Sequence, residues 1–111
     1  RTLRENVESL NVAPLCRIVV ADTFFWAEQT PPDDPRPWVV FVSPPYEFFI
    51  SRTDAMTRLV ETMYRRAPAG SVLVVESDQR FDFARLVEPE SWNVRDYPPA
   101  RIGILRKQAI E

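Results

Sequence analysis

The chain has 111 residues, a formal charge of −2, and 45% hydrophobic and 12% aromatic residues, enough for one small domain with a core and too apolar for a disordered chain. With no histidine and a single cysteine, Cys16, it excludes His/Cys zinc sites, Ser-His-Asp triads, disulfide frameworks and haem attachment, while carboxylate metal sites stay open. Gly70 and Gly103 stand alone, which excludes a glycine-rich phosphate loop, and the near-balanced charge argues against a polybasic nucleic-acid or membrane-surface module.

Lys107 is the one lysine among 14 basic residues, an arginine bias of the kind a GC-rich coding region produces. No run approaches the length of a membrane span, and the polar start Arg1-Thr2-Leu3-Arg4-Glu5-Asn6 is no signal peptide. The chain reads as soluble, intracellular and cytoplasmic.

Leu3, Val7 and Leu10 recur at helical spacing, so residues 1–11 read as the tail of an amphipathic helix. Nothing caps its start, and the expectation is that sequence upstream is missing. After Pro14, the run Leu15-Cys16-Arg17-Ile18-Val19-Val20-Ala21 predicts a strand buried on both faces and ending at Asp22. Residues 23–29, with Phe24, Phe25 and Trp26, predict a short helix, and the proline-rich stretch 30–37 predicts a loop. Residues 38–42 predict a second buried strand, stopped by Ser43-Pro44-Pro45-Tyr46.

From Arg52 to Ala67, Met56, Leu59, Val60 and Met63 share one helical face, the clearest helix in the chain. Pro68-Ala69-Gly70 ends it, and residues 71–76 predict a third buried strand. Residues 92–97 and 101–105 predict two more, made antiparallel by the tight Pro98-Pro99-Ala100 link. Strands alternating with helices indicate an α/β sandwich, mostly parallel, with an antiparallel hairpin at its end.

Ligands of open α/β sheets bind beyond the carboxyl ends of the strands, which points to Asp22, Ser43-Pro44-Pro45-Tyr46-Glu47 and Glu76-Ser77-Asp78. Two successive prolines lack N–H donors and hold φ fixed, so nearby carbonyls are rigid and free of a ladder. A rigid carbonyl beside the Ser43 oxygen makes two acceptors at one point, suited to the two N–H donors of an exocyclic amino group. Tyr46 offers a flat face for stacking on a base. The plainer reading is a Pro-Pro loop that ends a strand, with Tyr46 filling space. A cap of the next helix is the alternative for Asp22, and Glu76 reads as a solvated strand end.

A buried strand running into Ser43-Pro44-Pro45-Tyr46 resembles the (Asp/Asn/Ser)-Pro-Pro-Tyr mark of class I S-adenosylmethionine-dependent methyltransferases that modify base amino groups. The wider pattern is similar to the RsmD-like group, which methylates guanine N2 in small-subunit ribosomal RNA. It includes the helix Leu3-Arg4-Glu5-Asn6-Val7-Glu8-Ser9-Leu10, strands ending at Asp22 and Glu76, and the final hairpin from Asp96-Tyr97 to Ile104-Leu105-Arg106-Lys107. The resemblance covers the whole chain in order. It implies that residues 1–111 are the C-terminal part of a single methyltransferase domain with a three-layer Rossmann-like fold.

By the same resemblance, Asp22 would accept a hydrogen bond from the cofactor's adenine amino group, with Thr23 and Phe24 lining that pocket. Ser43 and the Pro44 carbonyl, held rigid by Pro45, would hold the target amino nitrogen, and Tyr46 would stack on the flipped base. The implied reaction is in-line methyl transfer from S-adenosylmethionine to nitrogen, without metal or membrane, on ribosomal RNA or the small ribosomal subunit. Two departures stand out. The glycine-rich cofactor turn, its strand and the next strand are absent, so the 111-residue chain alone is expected to bind S-adenosylmethionine weakly or not at all. Ser43 replaces the usual Asp or Asn, as in some cytosine-N4 DNA methyltransferases, which keeps a base-amino DNA methyltransferase (adenine N6 or cytosine N4) as a rival. A non-catalytic α/β remnant that binds nucleic acid or a protein partner is the other.

The resemblance further implies that residues 38–42, 71–76, 101–105 and 92–97 are successive neighbours in one sheet. The strand at 15–21 would normally be separated from them by two strands this chain lacks. Either residues upstream complete the sheet, the favoured outcome, or 15–21 pairs abnormally, with 38–42 or another molecule.

Overall fold

The computed structural model describes residues 2–29 and 33–109. Strands β1 (Val39–Val42), β2 (Val72–Asp78), β3 (Asn93–Tyr97) and β4 (Ala100–Arg106) form one sheet in the order β1-β2-β4-β3. This is the neighbour order that the family resemblance implies. β1 and β2 run parallel, with Val39 opposite Val72 and Val42 opposite Val75. β4 is antiparallel to both β2 and β3, so the sheet is mixed and only its first pairing is parallel.

Four helices accompany the sheet: α1 (Thr2–Ser9), α2 (Thr23–Gln29), α3 (Phe48–Ser51) and α4 (Thr53–Arg66). In α4 the apolar stripe Met56, Leu59, Val60 and Met63 is buried, with Asp54 in the first turn and Arg65 and Arg66 in the last, matching the helix dipole. Its carboxyl end leaves carbonyls without intrahelical partners. Lys107 satisfies three carbonyls there, donating from Nζ to Tyr64, Arg65 and Ala67 at 2.9, 3.0 and 2.8 Å. The single lysine thus ties the end of the sheet to the end of α4.

The register puts Val40, Val42, Leu73, Val75, Gly103 and Leu105 on one sheet face. Against this face pack Phe49, Met56, Val60 and Ala27, so α2, α3 and α4 form one layer over it. A row of rings, Phe49, Phe81, Phe83 and Trp92, closes the layer, with centroids 4.6, 5.6 and 5.5 Å apart. Gly103 is required by this approach: a Cβ there would lie 2.2 Å from the Phe83 ring. Val39, Phe41 and Ile104, on the opposite face, are exposed. Of the three layers expected, the described residues form two.

Two expectations are corrected. The segment 15–21 is not a strand: a 3₁₀ turn occupies Ala13–Leu15, and the residues after it are irregular, with Leu15 85% and Val20 92% exposed. It pairs neither with β1 nor with any other described strand. A buried N–H or C=O without a partner costs about 1–3 kcal/mol, and with no neighbour in the sheet these groups stay in water. Likewise β1 is not buried on both faces but is the sheet's edge, with Val39 63% and Phe41 73% exposed. The predicted helix at 23–29, the helix at 52–67 and the other strands fall within two residues of the observed elements. Residues 33–37 are irregular, as expected of the proline-rich loop, while 30–32 and the helix start at Arg1 lie outside the described residues.

Candidate functional site

The carboxyl ends of β1 and β2 lie side by side, and the register decides what meets there. With Val42 opposite Val75, the next residues along, Ser43 and Glu76, fall opposite each other one step past the β1 ladder. Ser43 Oγ donates to Glu76 Oε1 at 2.8 Å, and the Tyr46 hydroxyl donates to Glu76 Oε2 at 2.5 Å. One carboxylate thus holds both ends of the Ser-Pro-Pro-Tyr turn. The hydrogen bonds from Tyr46 and Ser43 hold the Glu76 carboxyl below its ordinary range. The same bond to Glu76 pushes the Tyr46 phenol up, because a phenolate would face a carboxylate.

The turn leads directly into α3, which uses up the carbonyls that follow the prolines: Phe48 N donates to the Pro45 carbonyl and Phe49 N to that of Tyr46. The Pro44 carbonyl accepts no hydrogen bond among the described residues. A second link joins the same two elements, since Arg80 bonds Asp78 on β2 at 2.8 Å and reaches Glu47 at 3.3 Å. The Arg80 guanidinium beside it lowers the Asp78 carboxyl.

Asp22 is not at a strand end, because the strand before it does not form. It caps α2 instead: its Oδ1 accepts from Phe24 N at 2.9 Å and from Phe25 N at 3.3 Å. The capped helix leans on α4 and, with it, walls a cleft of about 560 Å³. Asp22, Thr23 and Phe24 line one side, Ser43, Pro44 and Pro45 another, over an apolar bed of Val40, Met56 and Leu59. Arg52 sits at this cleft with its guanidinium 4.4 Å from the Phe24 ring centre and 5.4 Å from that of Phe48, a cation–π contact that joins α2 to the start of α4.

Six of the seven residues to which the resemblance gives a role therefore line one cleft. The seventh, Tyr46, is not among the lining residues; its hydroxyl is bonded to Glu76. Glu76, read from the sequence as a solvated strand end, is the residue that organises the turn. The signal for it was available: aligning residues 38–42 with 71–75 as parallel neighbours sets Ser43 beside Glu76. Among the described residues no acidic, cysteine or histidine cluster could hold a metal ion, and no helix is long and apolar enough to cross a membrane.

No family model and no curated sequence matches the chain. Its fold does match solved structures. A protein assigned as a methylase, HI0767 from Haemophilus influenzae, superposes with a TM-score of 0.69 at 17% identity, over 97% of this chain and 65% of that one. An assigned methyltransferase from Escherichia coli, YhhF, superposes with a TM-score of 0.60 at 17% identity, over 97% of this chain and 56% of that one. The chain has a methyltransferase fold, and it spans less than two thirds of the length of either neighbour.

Proposed function

We propose that the chain serves S-adenosylmethionine-dependent methyl transfer to an exocyclic base amino group, with guanine N2 of ribosomal RNA as the favoured target. The observation that carries this reading is the pair of acceptors at the end of β1. The Ser43 oxygen and the unbonded Pro44 carbonyl sit at one cleft with Asp22 on its far side. The methyltransferase fold of its structural neighbours supports the same class of reaction.

The cleft residues fit the adenine end of the cofactor. Asp22 caps α2 through Oδ1 and its Oδ2 has no partner among the described residues, and the apolar bed of Val40, Met56 and Leu59 suits a flat ring. Asp22, Thr23 and Phe24 would hold that end. When bound, S-adenosylmethionine supplies the methyl group as an electrophilic carbon. The chain's own contribution is positional: Ser43 and the Pro44 carbonyl accept the two amino N–H groups and so orient the nitrogen lone pair away from themselves. Tyr46, its hydroxyl anchored on Glu76, offers its ring to the base.

Ser43 at the head of the turn favours a second reading, a DNA methyltransferase acting on adenine N6 or cytosine N4. Incubating the natural gene product with methyl-labelled S-adenosylmethionine, small-subunit ribosomal RNA and duplex DNA separates them. Label in RNA is the expected result, and label confined to DNA moves the assignment to the second reading. Label in neither would replace both with the non-catalytic remnant.

A further inference from the structure

We propose that Glu76 is a positioning residue that makes Ser43 a one-way hydrogen-bond acceptor, so that the site selects a base bearing an amino group over one lacking it. This rests on the reading of Ser43 and Pro44 as amino acceptors, and it adds the reason a serine can serve there.

A serine hydroxyl carries one proton and two lone pairs, and left free it rotates to donate or accept as its neighbour requires. An ionised carboxylate can only accept. Glu76 gives one oxygen to each hydroxyl, Oε1 to Ser43 at 2.8 Å and Oε2 to Tyr46 at 2.5 Å. The single Ser43 proton is therefore committed, and what Ser43 presents to the cleft is lone pairs. Beside it the Pro44 carbonyl is free, and Pro45 has no N–H to offer a ligand. The head of the turn thus presents two acceptors, and neither proline brings an N–H beside them.

An NH₂ group satisfies both acceptors. A hydrogen in its place leaves them unpaired against an apolar ligand edge, which is the mismatch that binding sites reject most strongly. Glu76 makes no ion pair among the described residues, because Arg80 is taken by Asp78 and Glu47. Its charge therefore stays available to polarise the Ser43 hydroxyl. With the Glu76 acceptor oxygens removed, the hydroxyl regains its rotation, and the selectivity it enforces is lost.

The test is titration of the 111-residue chain by NMR or calorimetry with three nucleoside pairs differing only by NH₂ against H: guanosine and inosine, adenosine and purine riboside, cytidine and its 4-deamino analogue. In at least one pair the aminated member is expected to bind about three- to tenfold tighter, the worth of one or two net hydrogen bonds. Glu76→Leu, which removes both acceptor oxygens and is checked by its melting transition, brings that ratio to about one. The double variant Ser43→Asp with Glu76→Leu restores it, because Asp brings acceptors that need no orienting partner. Where Glu76→Leu does not fold, Glu76→Asp withdraws the carboxylate by one methylene and is expected to lower the ratio.

A wild-type chain with no preference in any pair overturns the amino-acceptor reading and this proposal together. A preference that survives in the folded Glu76 variant overturns the proposal alone. So does a double variant that folds and still shows none.

Discussion

Two stretches of this chain have the same apolar signature and opposite fates. Leu15-Cys16-Arg17-Ile18-Val19-Val20-Ala21 and Ser71-Val72-Leu73-Val74-Val75-Glu76 are both short β-branched runs that end at a carboxylate. The second becomes β2, an internal strand with a partner on each side, and its Leu73 and Val75 are completely buried. The first stays irregular and exposed, with Val20 at 92%. Local composition states a willingness to be buried, and a neighbouring strand decides whether burial happens. β1 lies between these extremes. It pairs on one side only, and Val42 is buried while Phe41 is not.

The contrast is broken most sharply by truncating one side chain in each stretch. Leu73→Ala should cost about 2–5 kcal/mol, the sum of lost transfer energy and a cavity. Val20→Ala should change stability by less than about 0.5 kcal/mol. Both are read as shifts in denaturant midpoint at unchanged slope. A Val20 cost as large as that of Leu73 would mean that the N-terminal stretch is packed in solution.

Next in size, Tyr46→Ala in the natural gene product should lower turnover on RNA about ten- to hundredfold, the roughly 1–3 kcal/mol that base stacking contributes. Cofactor affinity should be nearly unchanged, since Tyr46 is not among the residues that line the cleft beside Asp22, Thr23 and Phe24. An equal loss of cofactor binding would assign the ring a purely structural role. Asp22→Ala sharpens the comparison from the other side of the cleft. Losing the cap of α2 should cost about 1 kcal/mol in melting experiments without any ligand, and cofactor binding should weaken before turnover does. An unchanged melting transition would show that the cap does not hold α2.

The smallest effect concerns acid. Because its two hydroxyl partners lower the Glu76 carboxyl in the folded chain, the stabilisation it gives is complete above the ordinary value of 4.5. It fades as pH falls below that value through the folded-state pKa. The stability difference between wild type and Glu76→Gln should therefore be flat from neutral pH down to the ordinary carboxylate range and shrink below it. A difference that grows on acidification would contradict the hydrogen-bond directions at this site.

Much of the sheet was legible in the sequence because the cues are local. Pro98-Pro99 dictates a tight return, the spacing of Met56, Leu59, Val60 and Met63 dictates a buried helical stripe, and Pro68 with Gly70 at φ +89° ends it. Pairing between distant strands came from the family resemblance and not from local cues, which left the surroundings of residues 15–21 and 38–42 unread. Nothing in residues 15–21 says that no strand lies beside them, and nothing in residues 38–42 says that they form an edge. The site shows the same division. The acceptor turn at 43–46 is a local signal, whereas the roles of Glu76, Arg80 and Arg52 depend on a register and ring contacts set by the fold. Asp22 was found for its position and keeps it, but as the cap of a helix at the cleft and not as the end of a strand.

In the proposed function the acceptor pair at Ser43 and Pro44 presents an exocyclic amino nitrogen for methylation. Mass spectrometry of the nucleosides from nucleic acid treated with the natural gene product and S-adenosylmethionine tests this directly. The expected product carries a methyl group on an exocyclic base nitrogen, N2 of guanine first, and is lost in Ser43→Ala. A methyl group on a ring carbon, a ring nitrogen or the ribose would contradict it.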